Sequence, residues 1–222
     1  PIRWAENDPL EQLLYRLFLL DAEPTPLANT TVNNACVMAF SQQTVFEQPS
    51  LLRAVYGLLR SAHYRTTPDD LRFLLDAPGV SLFVMQADQQ LIGVALCVQE
   101  GELDDAMANA ITAGERRPRG HLLVQTLAVQ EAQPQYLQQR VSRVVRIAIH
   151  PSLQGQGYGS RLLQAVVEQQ RELGVNVIGS SFSATPEVLA FWQKNGFTLE
   201  RIGHRRQKAS AAPSAVVLRV LH

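Results

Sequence analysis

The residues whose types and spacing could do chemistry lie between Arg146 and Ser160, in the order Arg-Ile-Ala-Ile-His-Pro-Ser-Leu-Gln-Gly-Gln-Gly-Tyr-Gly-Ser. A β-rich apolar run, Ser142 to Ile149, leads into this stretch, and a helix-patterned run over about 158–173 leads out of it. Between them Gly155, Gly157 and Gly159 carry no Cβ, so the backbone can approach a ligand closely and take dihedrals closed to other residues. Free N–H groups at the start of the following helix, helped by its dipole, suit a pyrophosphate. Coenzyme A carries one. Two rival phosphate sites fail on spacing. A dinucleotide fingerprint needs G-x-G-x-x-G with an acidic residue roughly 20 positions on, whereas the glycines here run G-x-G-x-G. A triphosphate-binding loop needs Gly-Lys-Ser/Thr, which this stretch lacks.

The elements that must position the loop are of both kinds. Residues 1 to about 60 read as helical. Leu10, Leu13, Leu14, Leu17 and Phe18 recur at helical spacing after an Asp8-Pro9 start, and a second helix covers about 50–62. Glu23 to Asn34, with two prolines, reads as a loop. A third helix follows Thr67-Pro68. Ser81–Gln86 and Leu91–Gln99 read as a β-hairpin, Glu102–Ala113 as a helix, and His121–Val129 as a third strand. The helix after the glycine loop should stop at Gly174, and another should run from Thr185-Pro186-Glu187 to Asn195-Gly196. Short strands at Asn176–Gly179, Phe197–Ile202 and Ala215–Leu221 complete a mixed α/β, three-layer plan.

Composition narrows the classes. A chain of 222 residues with 46% hydrophobic and 18% charged residues can bury a proper core in one large domain, or in a domain with an appendage. Net charge is zero, so nothing global pushes the chain toward nucleic acid or membrane. Local basic clusters remain: Arg65; Arg116, Arg117 and Arg119; Arg201, Arg205, Arg206 and Lys208. Such runs are usually solvated faces, and their other use is contact with phosphates. Cys36 and Cys97 stand apart in apolar surroundings, which predicts two buried thiols, no disulfide framework and no metal site. With no secretory signal and no apolar run approaching roughly 18 residues, a cytoplasmic chain without a membrane partner is expected. The opening Pro1-Ile2-Arg3-Trp4 reads as part of a longer protein.

The pattern Gln154-x-x-Gly157-x-Gly159 after an apolar strand resembles the acetyl-CoA signature of the GNAT superfamily. Further stretches narrow the resemblance: His63-Tyr64-Arg65, Thr67-Pro68, Asp70-Leu71, Asp76-Ala77-Pro78, Arg117-Pro118-Arg119-Gly120, Arg143 to Pro151, and Phe191-Trp192-Gln193 to Gly196-Phe197. Together they are similar to the acetyltransferase module of tRNA(Met) cytidine acetyltransferases. The resemblance spans nearly the whole chain, and Ala62-His63-Tyr64-Arg65 is its most specific part. It implies a GNAT fold, a mixed central sheet flanked by helices, over residues 61–222. Residues 1–60 would then be a helical extension from a preceding module. The implied activity is acetyl-CoA-dependent N-acetylation, forming N4-acetylcytidine at the wobble position of elongator tRNA(Met). ATP would enter only through a helicase-like module outside this chain. The alternatives are acetylation of a protein or small-molecule amine, and a non-enzymatic module that binds acyl-CoA or RNA.

Roles follow from the same resemblance. Ile147, Ala148 and Ile149 would offer main-chain groups to the pantetheine arm and thioester. Gln154, Gly155, Gln156, Gly157, Tyr158, Gly159 and Ser160 would hold the pyrophosphate. Glu187 and Lys194 stand seven apart, about two helical turns, and so on one face. The family contacts acetyl-CoA there with Glu and Arg. Lysine keeps the charge but not the planar fork, and Glu187 could equally serve the helix dipole. Cytosine's amine must shed a proton as it attacks. His63 is the candidate base beside Glu187, although it could instead bind RNA or cap local structure. Arg65, Arg116, Arg117, Arg119, Arg205, Arg206 and Lys208 are the implied RNA contacts. Phe191 and Trp192 read as core, or as a platform for a splayed base.

Overall fold

The computed structural model describes residues 8–27, 34–62, 67–206 and 212–221, with only the backbone of 204–206. Within them, in chain order, come α1 (Pro9–Phe18), β1 (Cys36–Phe40), α2 (Gln42–Phe46), α3 (Pro49–Ser61), α4 (Pro68–Asp76), β2 (Val80–Ala87) and β3 (Gln90–Gly101). Then follow α5 (Asp105–Thr112), α6 (Leu122–Gln130), β4 (Arg140–Ile149), α7 (Tyr158–Glu172), β5 (Val177–Ser183), α8 (Pro186–Lys194), β6 (Thr198–Arg206) and β7 (Pro213–Val220). The seven strands form a mixed sheet in the order β1-β2-β3-β4-β5-β7-β6. The parallel pair of β4 with β5 is joined by the crossover helix α7, as parallel neighbours require.

Helix starts follow the local chemistry. Asp8 Oδ1 accepts from Leu10 N–H at 2.8 Å, and Pro9 fills the first helical position, where a missing N–H costs nothing. Asp70 reaches back to the Thr67 N–H at 2.7 Å to start α4. Asp104 takes the Met107 N–H at 2.7 Å to start α5.

Two elements differ from the sequence reading. Cys36–Phe40, within a stretch expected to be helical, is a strand paired antiparallel with β2 from Cys36↔Gln86 to Phe40↔Leu82. An apolar run of that length has no decisive period, and the neighbouring hairpin supplies the ladder that settles it. His121–Val129, expected as a strand, is the helix α6. Leu123, Val124, Leu127 and Ala128 are all buried, so the helix is apolar on most sides and hides its period. Its start is held by Glu100 on β3, whose Oε2 accepts from Leu123 N–H at 2.7 Å and Val124 N–H at 3.2 Å.

The chain divides into two compact units. Of the described residues, one unit holds those within 1–77, 81–94 and 147–159, and the other those within 78–80, 95–146 and 160–222. In the first, Ala22, Tyr56 and Leu71 form a small core lined by Leu19, Leu52 and Leu75. In the second, α5 and α6 pack on the sheet through Ile111, Leu123, Val124, Leu127, Val141, Val177 and Leu218. Gly179 of β5 belongs to this contact. A Cβ there would lie 2.7 Å from Val217 O and 2.8 Å from Leu123 Cδ2, so only glycine admits the helix at this spacing.

The thiols part company. Cys97 is buried, as expected, and burial pushes its pKa up to about 12. Cys36 is exposed on β1, against expectation, because that strand lies at the edge of the sheet. Alkylation at neutral pH should therefore modify one thiol, Cys36, with Cys97 reacting only after unfolding. Mass spectrometry of a labelled native sample decides this, and rapid labelling of Cys97 would contradict its burial. No helix among the described residues is long and apolar enough to cross a membrane, and no group of three or more potential metal-ligating side chains occurs among them.

Candidate functional site

The strand β4 feeds directly into the glycine loop. It pairs with β5 over Val141↔Val177 to Val144↔Ser180, and Ser180 Oγ donates to Val144 O at 2.9 Å beside the last rung. The ladder stops there, while β4 runs on to Ile149 and β5 to Ser183. Backbone polar groups want partners. The stretch Val145–Ile149 lies beyond the last rung of this ladder. Ala148 and Ile149 bury their side chains, so what they offer is peptide chemistry.

The loop is braced from within. Pro151–Leu153 form one 3-10 turn, and Leu153, fully buried, pins it to the core. His150 Nδ1 accepts from the Ser152 N–H at 3.3 Å. Gln154 Nε2 donates to Ile149 O at 3.2 Å, and Gln156 Nε2 donates to Ser152 O at 3.2 Å. The two glutamine side chains thus shape the loop. Gly155 (φ 75°) and Gly157 (φ 88°) take left-handed backbone, and a Cβ on either would meet nothing within 4 Å. Gly159 differs: it is helical, the second residue of α7. The first turn of α7 has no acidic residue to offset its dipole. An open loop with two Cβ-free positions, running into such a helix start, fits a pyrophosphate.

Helix α8 is tied to this start. Asn195 Nδ2 donates to Ser160 Oγ at 3.1 Å and to Phe191 O at 2.7 Å. Asn195-Gly196 signals a helix stop in the sequence, but an asparagine that also reaches another helix has no local signature. Trp192 is core, stacked on Phe182 at 5.7 Å and edge-on to Phe191 and Phe197. Glu187 and Lys194 are both exposed on α8, in its first and last turns. Hydrogen bonds from its own backbone N–H and from the Thr185 hydroxyl hold the Glu187 carboxyl below its ordinary value. A lowered carboxyl is ionised throughout the neutral range and is a weak proton acceptor. Glu187→Gln should accordingly leave the acidic limb of any pH–rate profile between pH 6 and 8 in place. Loss of that limb would make Glu187 the titrating base.

The basic residues fall into three groups. Arg116, Arg117 and Arg119 are exposed on the connection between α5 and α6. Arg201 is engaged within the protein, 2.5 Å from Glu131, and is thereby taken from the set of free cations. The side chains of Arg205 and Arg206 lie outside the described residues, as do His63, Tyr64, Arg65 and Lys208.

A mixed sheet whose parallel pair is joined through a glycine loop and crossover helix is the architecture of the GNAT acyltransferases. Solved structures agree on the fold. An N-acyl amino acid synthase from uncultured soil microbes superposes with a TM-score of 0.60 at 16% identity, covering 85% of this chain and 91% of its own. A Bacillus subtilis acetyltransferase in complex with CoA gives 0.53 at 17%, covering 85% and 100%. The sequence matches GNAT acetyltransferase 2 over residues 54–173, and the chain belongs to that family. Among its relatives, the tRNA(Met) cytidine acetyltransferase TmcA of Nitrosococcus halophilus is 38% identical over all of this chain and 30% of that protein. The enzymes of the same name from Vibrio cholerae and Saccharolobus islandicus are 39% and 36% identical, again over all of this chain and 31% and 29% of theirs. The chain thus spans about 30% of the length of these relatives.

Proposed function

We propose that this chain is the acetyl-transferring module of a tRNA(Met) cytidine acetyltransferase, which forms N4-acetylcytidine at the wobble position of elongator tRNA(Met). The observation that carries this reading is the alignment of its full length, at 36–39% identity, with relatives bearing that name. The open glycine loop supports the donor half of the reaction. When bound, acetyl-CoA supplies an acetyl group activated as a thioester.

In this reading the chain's own groups do four things. Main-chain groups of Ile147–Ile149 orient the pantetheine arm, and an N–H near Ile149 stabilises the oxyanion that develops as the amine attacks. Amides of 154–160 hold the pyrophosphate, with Ser160 steadied by Asn195. Lys194 adds a cation, and Glu187, ionised in the neutral range, orients rather than moves a proton. His63 takes the proton that the cytidine amine sheds, while Arg65, Arg116, Arg117, Arg119, Arg205, Arg206 and Lys208 contact the RNA backbone.

Residues 1–60 serve as an extension that joins 61–222 to a preceding helicase-like ATPase module, in a cytoplasmic protein. The exposed leucines of α1 support this. Leu10, Leu13 and Leu17, between 49% and 58% exposed, make an apolar stripe suited to further protein.

The test is nucleoside analysis of elongator tRNA(Met) after incubation with acetyl-CoA, with and without the ATPase module and ATP. N4-acetylcytidine at the wobble position is the expected product. Acetylated protein or small amines with unmodified tRNA would overturn the acceptor, and failure of the chain to bind CoA would overturn the donor.

A further inference from the structure

We infer that His150 is the positioning residue of the donor loop, acting through the shape it imposes on residues 151–157 rather than through contact with the reacting atoms. The inference rests on the donor reading above. His150 follows the last residue of β4 and is 6% exposed. Three hydrogen bonds fix it. Its N–H donates to Ile92 O at 2.8 Å, its carbonyl accepts from Leu153 N–H at 2.9 Å, and its Nδ1 accepts from Ser152 N–H at 3.3 Å.

That last bond sets the tautomer. An Nδ1 that accepts leaves the proton of a neutral imidazole on Nε2. Nε2 is buried and finds no hydrogen-bond partner among the described residues. Burying an unsatisfied N–H is unfavourable, and an apolar side chain of similar size would avoid it. The imidazole therefore carries a cost at this position that its ring volume does not explain. What only the imidazole supplies is the acceptor for Ser152.

The consequence reaches the ligand side of the loop. With the Ser152 N–H turned back onto His150, the turn 151–153 is closed, Leu153 drops into the core, and Gln156 can hold the Ser152 carbonyl at 3.2 Å. The chain then leaves the turn with Gly155 and Gly157 in left-handed backbone, above which nothing lies within 4 Å. Without the cap, the Ser152 N–H is free to seek other partners and the turn loses its first restraint. The glycines, the least restricted residues in the chain, then sample many conformations. The ordering would have to occur on binding, at the expense of affinity.

The experiment compares coenzyme A, which has the pyrophosphate, with pantetheine, which lacks it. Binding is followed by NMR titration of wild type, His150→Phe and His150→Asn. Phenylalanine keeps a ring and removes the acceptor. Asparagine restores an acceptor that can reach the N–H two residues on. We expect CoA affinity to fall about tenfold or more in His150→Phe and to return to within about threefold of wild type in His150→Asn. Pantetheine affinity should stay within about twofold in both, because pantetheine does not use the loop.

His150→Leu carries the same comparison if the phenylalanine variant does not fold. Unchanged CoA binding in the acceptor-free variant overturns the inference. So does an equal loss for both ligands, an asparagine variant no better than the apolar one, or unfolding of both apolar variants. Wild-type chain that binds no CoA at all would instead sink the donor reading on which the inference rests.

Discussion

Replacing Glu100 by alanine is expected to cost about 3–5 kcal/mol, a large part of the stability of a typical domain. Glu100 is fully buried on β3. One carboxylate oxygen lies 2.5 Å from Arg143 Nε, whose side chain is itself only 14% exposed. The other caps α6 through the Leu123 and Val124 N–H groups. Alanine leaves a partly buried guanidinium without its carboxylate and removes the side chain that receives two amides. For a chain of this size the melting temperature should drop by about 6–20 °C, at roughly 2–4 °C per kcal/mol.

The double variant Glu100→Leu with Arg143→Met separates the two causes. It removes both charges, so the ion-pair part of the loss should be recovered. The amide part, about 1–3 kcal/mol for each unsatisfied group, should remain. Urea unfolding of the single and double variants measures both. A single-variant loss under about 1 kcal/mol would show that the carboxylate carries little. Full recovery in the double variant would show that the cap carries nothing.

Glu100 also marks where the sequence stops being readable. Its neighbours are an ordinary strand, and only the fold places it beneath a helix more than twenty residues later. The same contact is why α6 looks like a strand from its residues alone: the stop and start signals that identify helices are local, and this start is supplied from β3. Elements with their own caps were legible. α1 begins at Asp8-Pro9, α4 at Thr67-Pro68 and α8 at Thr185-Pro186, as their residues predict.

The donor loop was legible for the same reason. Left-handed backbone at Gly155 and Gly157 is a local demand that glycine announces. Gly159 falls in the first turn of α7, in line with the helix expected over about 158–173. The bond from Asn195 to Ser160 joins residues 35 apart and could not be seen. Cys36 is exposed against expectation because apolar neighbours do not tell whether a strand lies at an edge.

The second large effect is expected at Gly157. Valine there should weaken coenzyme A binding by about a hundredfold or more, equivalent to roughly 2.7 kcal/mol. Two causes add. At φ 88° a β-branched residue is strained, by about 1–3 kcal/mol, and the loop will move to relieve it. The new methyls also occupy the space above the loop that is now clear to 4 Å. Strain alone can be subtracted. Gly114, at the end of α5, has φ 79° and a Cβ position equally clear of neighbours, but it lies outside the glycine loop. Gly114→Val should lower the melting temperature much as Gly157→Val does and leave coenzyme A binding unchanged. Calorimetric titration of the two variants makes the comparison. Equal effects on binding would mean that backbone strain, wherever it falls, disables the protein. An unaffected Gly157→Val would mean that the ligand does not approach this loop, and the acetyl donor would have to be sought on another face of the fold.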